Sequence, residues 1–164
     1  MTTPPERRVP APRFSLTIQP VWHIARQLRQ QLAELLASHS PDLRSSATMT
    51  GSELVENAIK YGESVPAARD IHFSLWEADG VLYLQTVNGC TDEASIHDLM
   101  GRVREIATAP DPAALYVARV QALLEHPSEC GKLGVYRIAM EGRFALQCEY
   151  QQSVVTVTAT RNIS

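Results

Sequence analysis

Two pairs of alternating segments constrain the fold of this 164-residue chain more than any other feature. Residues 71–75 alternate between apolar and polar side chains, and Ala78-Asp79-Gly80 forms a turn signature before residues 81–87. Near the other end, residues 144–150 and 154–160 form a second alternating pair. Because alternation has the period of a half-buried strand, each pair predicts an antiparallel hairpin.

Segments with helical periodicity lie before and between these hairpins. The sequence predicts a strand at 14–18 and helices over about 20–38, 45–61, 96–106, 112–124 and 135–139. Ser40-Pro41-Asp42 is interpreted as a break between the first two helices. Strands and helices are partly segregated along the chain, which predicts an α+β fold. We expect a two-layer α/β sandwich with a mixed, mainly antiparallel sheet and helices on one face.

Composition favours one ordinary globular domain, over residues 14–164. Hydrophobic residues make up 45% of the chain and charged residues 20%, which suits a single core. Residues 1–13 contain four prolines, three arginines and no apolar run. We expect a disordered tail there, with a basic docking arm as the alternative, and neither a secretory signal nor a membrane span.

Charge and cysteine content narrow the class of protein further. The formal net charge of −3 argues against a nucleic-acid-binding protein, which usually carries a basic excess. The three cysteines have no CxxC spacing, so reduced thiols in the cytoplasm are the simplest interpretation. The expected protein is therefore cytoplasmic, with no membrane and no nucleic-acid partner.

The helix at 45–61 carries the strongest candidate for chemistry. Glu53 and Asn57 lie one helical turn apart at the border of its apolar face. Their carboxylate and amide oxygens suit Mg²⁺, and a carboxylate there could also serve as a general base. The alternative is that both are ordinary polar border residues of an amphipathic helix, and periodicity alone favours that alternative.

The segment from Glu53 to Gly62 resembles the N-box of GHKL ATPases, which reads Glu, three residues, Asn-Ala, two residues, His-Gly. Tyr61 stands in the place of the histidine. The resemblance is nearest to bacterial anti-sigma-factor serine/threonine kinases, and the order of elements over residues 14–160 is also similar. It implies that Glu53 is the catalytic base and Asn57 the Mg²⁺ ligand.

Two glycine loops resemble the nucleotide-binding boxes of the same family in a degenerate form. Asn88 and Gly89 follow the strand where the family has Asp-x-Gly-x-Gly, and the resemblance implies contacts with the base of ATP. In strict register Val87 takes the Asp position, and the second glycine is missing. An ordinary turn is the alternative for this loop.

The second loop contains Gly131, Lys132 and Gly134 and resembles the family's Gly-x-Gly-Leu-Gly box without its first glycine. Glycines allow the backbone to approach phosphates, and a helix beginning there favours negative charge. The alternative is that Gly131 and Gly134 are turn residues.

Residues 91–129 form a helical insert in the position of the family's ATP lid. This resembles a subgroup of GHKL-type bacterial kinases that is implied to act on or bind small STAS-domain proteins. An ordered insert could instead fill the nucleotide site or build a homodimer surface.

Two hypotheses follow for the function of the chain. It is an ATP/Mg²⁺-dependent serine/threonine kinase in signal transduction, or a binding module that sequesters a partner without nucleotide. ATP binding without transfer lies between them.

Overall fold

The turn signature between the first two long strands produces the central hairpin of the sheet. Asp79 and Gly80 have φ angles of 52° and 72°. Both lie in the left-handed region, which the commonest two-residue hairpin turn requires. The hairpin predicted from Ala78-Asp79-Gly80 is confirmed.

The computed structural model describes residues 11–18, 24–127 and 133–164. Residues 1–10 of the tail predicted at 1–13 lie outside these described residues. So do the predicted helix start at Pro20 and the predicted phosphate residues Gly131 and Lys132. The elements are β1 (Phe14–Ile18), α1 (Ile24–Leu35), α2 (Pro41–Tyr61), β2 (Ile71–Ala78), β3 (Val81–Gly89), α3 (Glu93–Thr108), α4 (Pro112–Glu125), α5 (Gly134–Met140), β4 (Ala145–Gln151) and β5 (Val154–Asn162).

The strands form one sheet in the order β1-β2-β3-β5-β4. All four pairings are antiparallel, whereas the sequence predicted a mixed, mainly antiparallel sheet. Both hairpins contribute neighbouring strands, and β5 joins them by pairing with β3. The predicted α+β class is confirmed.

One face of the sheet forms the core. Phe73, Leu75, Leu82, Leu84 and Ala159 alternate along their strands and are fully buried. Leu75 pairs with Leu84, and Leu84 with Ala159, so these side chains form a continuous row across β2, β3 and β5. Helix α2 covers this row, with Leu54, Val55 and Ala58 buried against the sheet side. The opposite set of residues on each strand is more exposed, as period-2 alternation requires.

Helix α2 begins earlier than the sequence predicted. Ser40 is its N-cap, and the Ser40 hydroxyl accepts a hydrogen bond from the backbone N–H of Leu43 at 3.2 Å. Pro41 occupies the first turn, where its missing N–H costs nothing, and Asp42 follows. The interpretation of Ser40-Pro41-Asp42 as a break was therefore wrong in extent, since these residues start the helix.

The predicted insert forms two capped helices. Asp92 accepts a hydrogen bond from the Ser95 N–H at 3.2 Å, and Asp111 from the Ala114 N–H at 3.0 Å. Helix α3 packs against β4 and α5, whereas α4 contacts α5 and has no buried residue. Within the described ranges, no helix has both the length and the apolar character needed to cross a bilayer.

Candidate functional site

The predicted catalytic and metal-binding residues meet the start of α5. A Cβ atom added to Gly134 would lie 2.6 Å from Oε2 of Glu53 and 3.5 Å from Nδ2 of Asn57. Because Glu53 and Asn57 are four residues apart on α2, they face the same point. Gly134 has no side chain, so the first turn of α5 can approach them closely. The structure thus brings together three residues that the sequence analysis placed in one site.

A fourth residue of this site, Arg137, was missed by sequence reasoning. Its Nη1 donates a hydrogen bond to Oε1 of Glu53 at 2.5 Å. Arg137 lies one turn after Gly134 on α5, and its other contact is with Glu141 at 3.4 Å. Only 14% of the Glu53 side chain is exposed, against 38% for Arg137. Glu53 is therefore an ion-paired carboxylate that lies largely out of solvent.

Burial determines the protonation behaviour of Glu53. Loss of solvent raises the pKa of this carboxyl above its usual value, and the neighbouring Arg137 guanidinium opposes that rise without cancelling it. A raised carboxyl pKa is compatible with general acid–base chemistry. It is equally the behaviour expected of a structural carboxylate held between two packed helices.

The ion pair opposes a Mg²⁺ ion directly beside Glu53, whereas the ligand role predicted for Asn57 stays a prediction. The Arg137 guanidinium already supplies the positive charge next to Glu53. A divalent cation placed there would be repelled by that guanidinium at a distance of a few ångströms. In the described part of the chain, no three His, Cys, Asp or Glu side chains form a group that could hold a metal ion.

Asn88 and Gly89 lie in β3 and not in a loop after it. They pair with Val155 and Val154 of β5. Asn88 is buried, and its Nδ2 donates a hydrogen bond to the carbonyl of Gly89 at 3.1 Å. The Gly89 carbonyl also accepts from the Glu63 N–H at 2.8 Å. The prediction that the strand ends before these residues, with a loop or turn there, was wrong because β5 continues the ladder through them.

A cavity of about 30 Å³ lies between these predicted residues. Asn57 and Asn88 contribute to its wall, and Ile96, Leu99 and Arg102 of α3 close it from the insert side. Pockets for cofactor-sized ligands usually measure ~300–1,000 Å³. Between the described residues, this space has room for about one water molecule and not for a ligand the size of a nucleotide.

A polar cluster fixes the insert to α5. The Tyr136 hydroxyl donates to Glu105 at 2.7 Å, and Nη2 of Arg119 donates to the same carboxylate at 2.7 and 2.8 Å. The Arg119 guanidinium lies 5.4 Å from the centre of the Tyr136 ring. Burial, with the bond to Glu105, raises the pKa of Tyr136 to about 12. The cluster joins α3, α4 and α5 into one packed unit.

Comparison of the sequence with known families and curated proteins identified no related protein. No model of a known protein family matches the chain, and no curated protein matches its sequence. The family resemblance therefore depends on the residues from Glu53 to Gly62 and on the order of elements, and it stays a prediction. The roles assigned to Gly131 and Lys132 stay predictions as well.

Proposed function

We propose that the chain is a protein-binding regulatory module of the GHKL type that sequesters a signalling partner without using nucleotide. The observation that carries this proposal is the closed site. The space between Asn57 and Asn88 measures about 30 Å³, and side chains of α3 form one of its walls. A binding module needs no open pocket there, whereas a kinase does.

The surface of the insert supports the same conclusion. Helix α4 has no buried residue, and it exposes 53% of Val117 and 79% of Leu124. Val117 and Leu124 lie seven residues apart and therefore on one face of α4, and an apolar patch on an exposed helix face is typical of surfaces that bind other proteins. The sequence resemblance suggests a small STAS-domain protein as the partner, and an ordered insert in the position of the lid gives such a protein a fixed surface.

An ATP/Mg²⁺-dependent serine/threonine kinase is the second candidate. It is favoured by the convergence of Glu53, Asn57 and Gly134 and by the raised pKa of Glu53. For this function α5 would have to move so that Arg137 leaves Glu53, and α3 would have to withdraw from the cavity.

Calorimetric titration separates the two functions. The full chain is titrated with a non-hydrolysable ATP analogue, with and without Mg²⁺, and separately with a STAS-domain protein from the same organism without nucleotide. We expect no heat of ATP binding up to millimolar concentration and complex formation with the STAS-domain protein. Micromolar, Mg²⁺-dependent ATP binding that is lost in Asn57→Ala would contradict the module and support the kinase.

A further inference from the structure

The sheet has a second face that the helices do not use, here called the outer face. It consists of the residues of β1–β5 that alternate with the buried ones, with Gln85 and Thr158 near its centre. Nε2 of Gln85 donates a hydrogen bond to the Thr158 hydroxyl at 2.9 Å. In the described part of the chain, the core elements α2, α3 and α5 pack on the side of the buried residues. The outer face is thus an extended sheet surface with no layer over it among the described residues.

An aromatic pair lies on the outer face. Trp76 and Tyr83 occupy opposite positions in the β2–β3 register. Their rings are stacked, with centroids 4.9 Å apart and planes within 6°. Both side chains are half-buried, so their conformations are already restricted before any partner arrives. Tryptophan and tyrosine held in this way are the residues that most often anchor protein interfaces.

The outer face is large enough for a stable interface. Five strands at a spacing of ~4.8 Å and about seven residues each give a surface of roughly 24 Å by 24 Å, or about 600 Å² in projection. A standard interface buries about 800 Å² of accessible surface on each partner, and accessible area exceeds projected area. The exposed stripe of α4, about 21 Å long and 10 Å wide, offers only about a third as much.

The charge of the outer face indicates which partner it fits. Among the described strands, its only acidic or basic side chains are those of His72 on β2 and Glu149 on the edge strand β4. The chain has 15 lysines and arginines and 18 aspartates and glutamates, so nearly all of its charged residues lie away from the outer face. A two-fold interface brings the same patch of both copies together, and any net charge on that patch would repel itself. A nearly neutral patch avoids this repulsion, whereas it offers no ion pairs to a charged partner.

We propose that the outer face is the interface of a two-fold homodimer, in which the sheets of two copies of this chain pack face to face. Aligned sheet packing at about 30° places the neutral side chains of both copies in one layer. Trp76 and Tyr83 supply the apolar anchors, and the threonines of β5 supply methyl groups and hydroxyls. This interface leaves α4 free for the partner of the proposed function, so the two inferences can fail independently.

Sedimentation velocity of the full chain, from about 1 µM to about 300 µM, tests the proposal. We expect a concentration-dependent dimer. Thr158→Lys places an unpaired charge at the centre of the outer face and should raise the dimer Kd by at least about 30-fold. Gln147→Lys, at an exposed outer-face position on β4, provides a second variant if Thr158→Lys does not fold, as judged by circular dichroism.

Val117→Lys is the matched control, because it adds the same charge to an exposed position of α4. It should leave the dimer Kd unchanged. A wild-type chain that stays monomeric over the whole concentration range overturns the proposal. So does a dimer that the folded outer-face variants leave intact, or one that only Val117→Lys disrupts.

Discussion

Adding one methyl group at Gly89 tests whether the missing side chain allows close packing of residues 63–68 or leaves space for a ligand. A Cβ atom at Gly89 would lie 2.3 Å from the Glu63 carbonyl oxygen, 2.5 Å from Cγ2 of Val65 and 3.1 Å from the Ala68 carbonyl oxygen. Two of these three atoms belong to the backbone and cannot rotate away. The Glu63 N–H also donates to the Gly89 carbonyl at 2.8 Å, which ties the two segments together.

The expected effect of Gly89→Ala is a loss of about 2 kcal/mol in the free energy of unfolding. Overpacking a well-packed site typically costs ~1–3 kcal/mol, and weakening the bond from Glu63 adds about 1 kcal/mol. Replacing glycine by alanine in a strand returns roughly 0.5–1 kcal/mol through the lower entropy of the unfolded chain. Urea unfolding followed by circular dichroism measures the difference, with an unchanged m-value expected.

The matched control is Gly101→Ala on α3. Apart from the backbone of its own helix and its chain neighbours, no atom lies within 4 Å of a Cβ added to Gly101, which is exposed in the middle of the helix. The same chemical change should therefore stabilise the protein there by roughly 0.5–1 kcal/mol. If Gly89→Ala is as stable as the wild type, residues 63–68 do not pack on Gly89. The strand end would then be open to a ligand, as the family resemblance implies.

Two further predictions concern charged residues near the insert. Arg137→Ala leaves the carboxylate of Glu53 without its partner and should cost roughly 1–2 kcal/mol at neutral pH, a value reduced for the partial exposure of Arg137. Because burial already raises the pKa of Glu53, this loss of stability should shrink as the pH falls and Glu53 becomes protonated. Urea unfolding of both proteins as a function of pH measures the loss. A loss that stays constant with pH would contradict the pairing. The hydrogen bond from Tyr136 lowers the pKa of Glu105 below its usual 4.5, so its stabilisation is present above pH 4.5 and is lost as the pH falls through the lowered pKa. Glu105→Gln should therefore flatten the acid side of the stability profile, and an unaltered profile would argue against the cluster.

The parts of the fold that depend on local sequence were predictable. The hairpin turn depends on Asp79-Gly80, and the start of α4 depends on Asp111 and Pro112, so each needs only neighbouring residues. Ser40-Pro41 was misinterpreted because serine and proline are common both after the end of a helix and in the first turn of the next one. Only the following apolar face decides between these roles, and in residues 42–48 that face has only Leu43 and Ala47 as apolar members.

The candidate site was predictable only in part. The spacing of Glu53 and Asn57 on one helix fixes their common direction, so their convergence follows from sequence. Arg137 lies 84 residues from Glu53, and an arginine on a short helix is ordinarily solvated, so nothing local indicates this pair. The role of Gly89 was missed for a similar reason, since its contacts come from the separate segment 63–68.

The closed site changes what the N-box resemblance of residues 53–62 can mean. Opening it requires the Arg137–Glu53 pair to separate and α3 to move, and α3 is held by Glu105 through Tyr136 and Arg119. If these contacts together favour the closed form by about 3 kcal/mol, the affinity for nucleotide falls by roughly 150-fold from its intrinsic value. A kinase built this way would bind ATP weakly until a partner stabilised the open form. The two proposed functions therefore predict different effects of the partner on ATP binding. In the kinase, binding of the partner should raise the affinity for ATP. In the binding module, ATP should not bind with or without the partner.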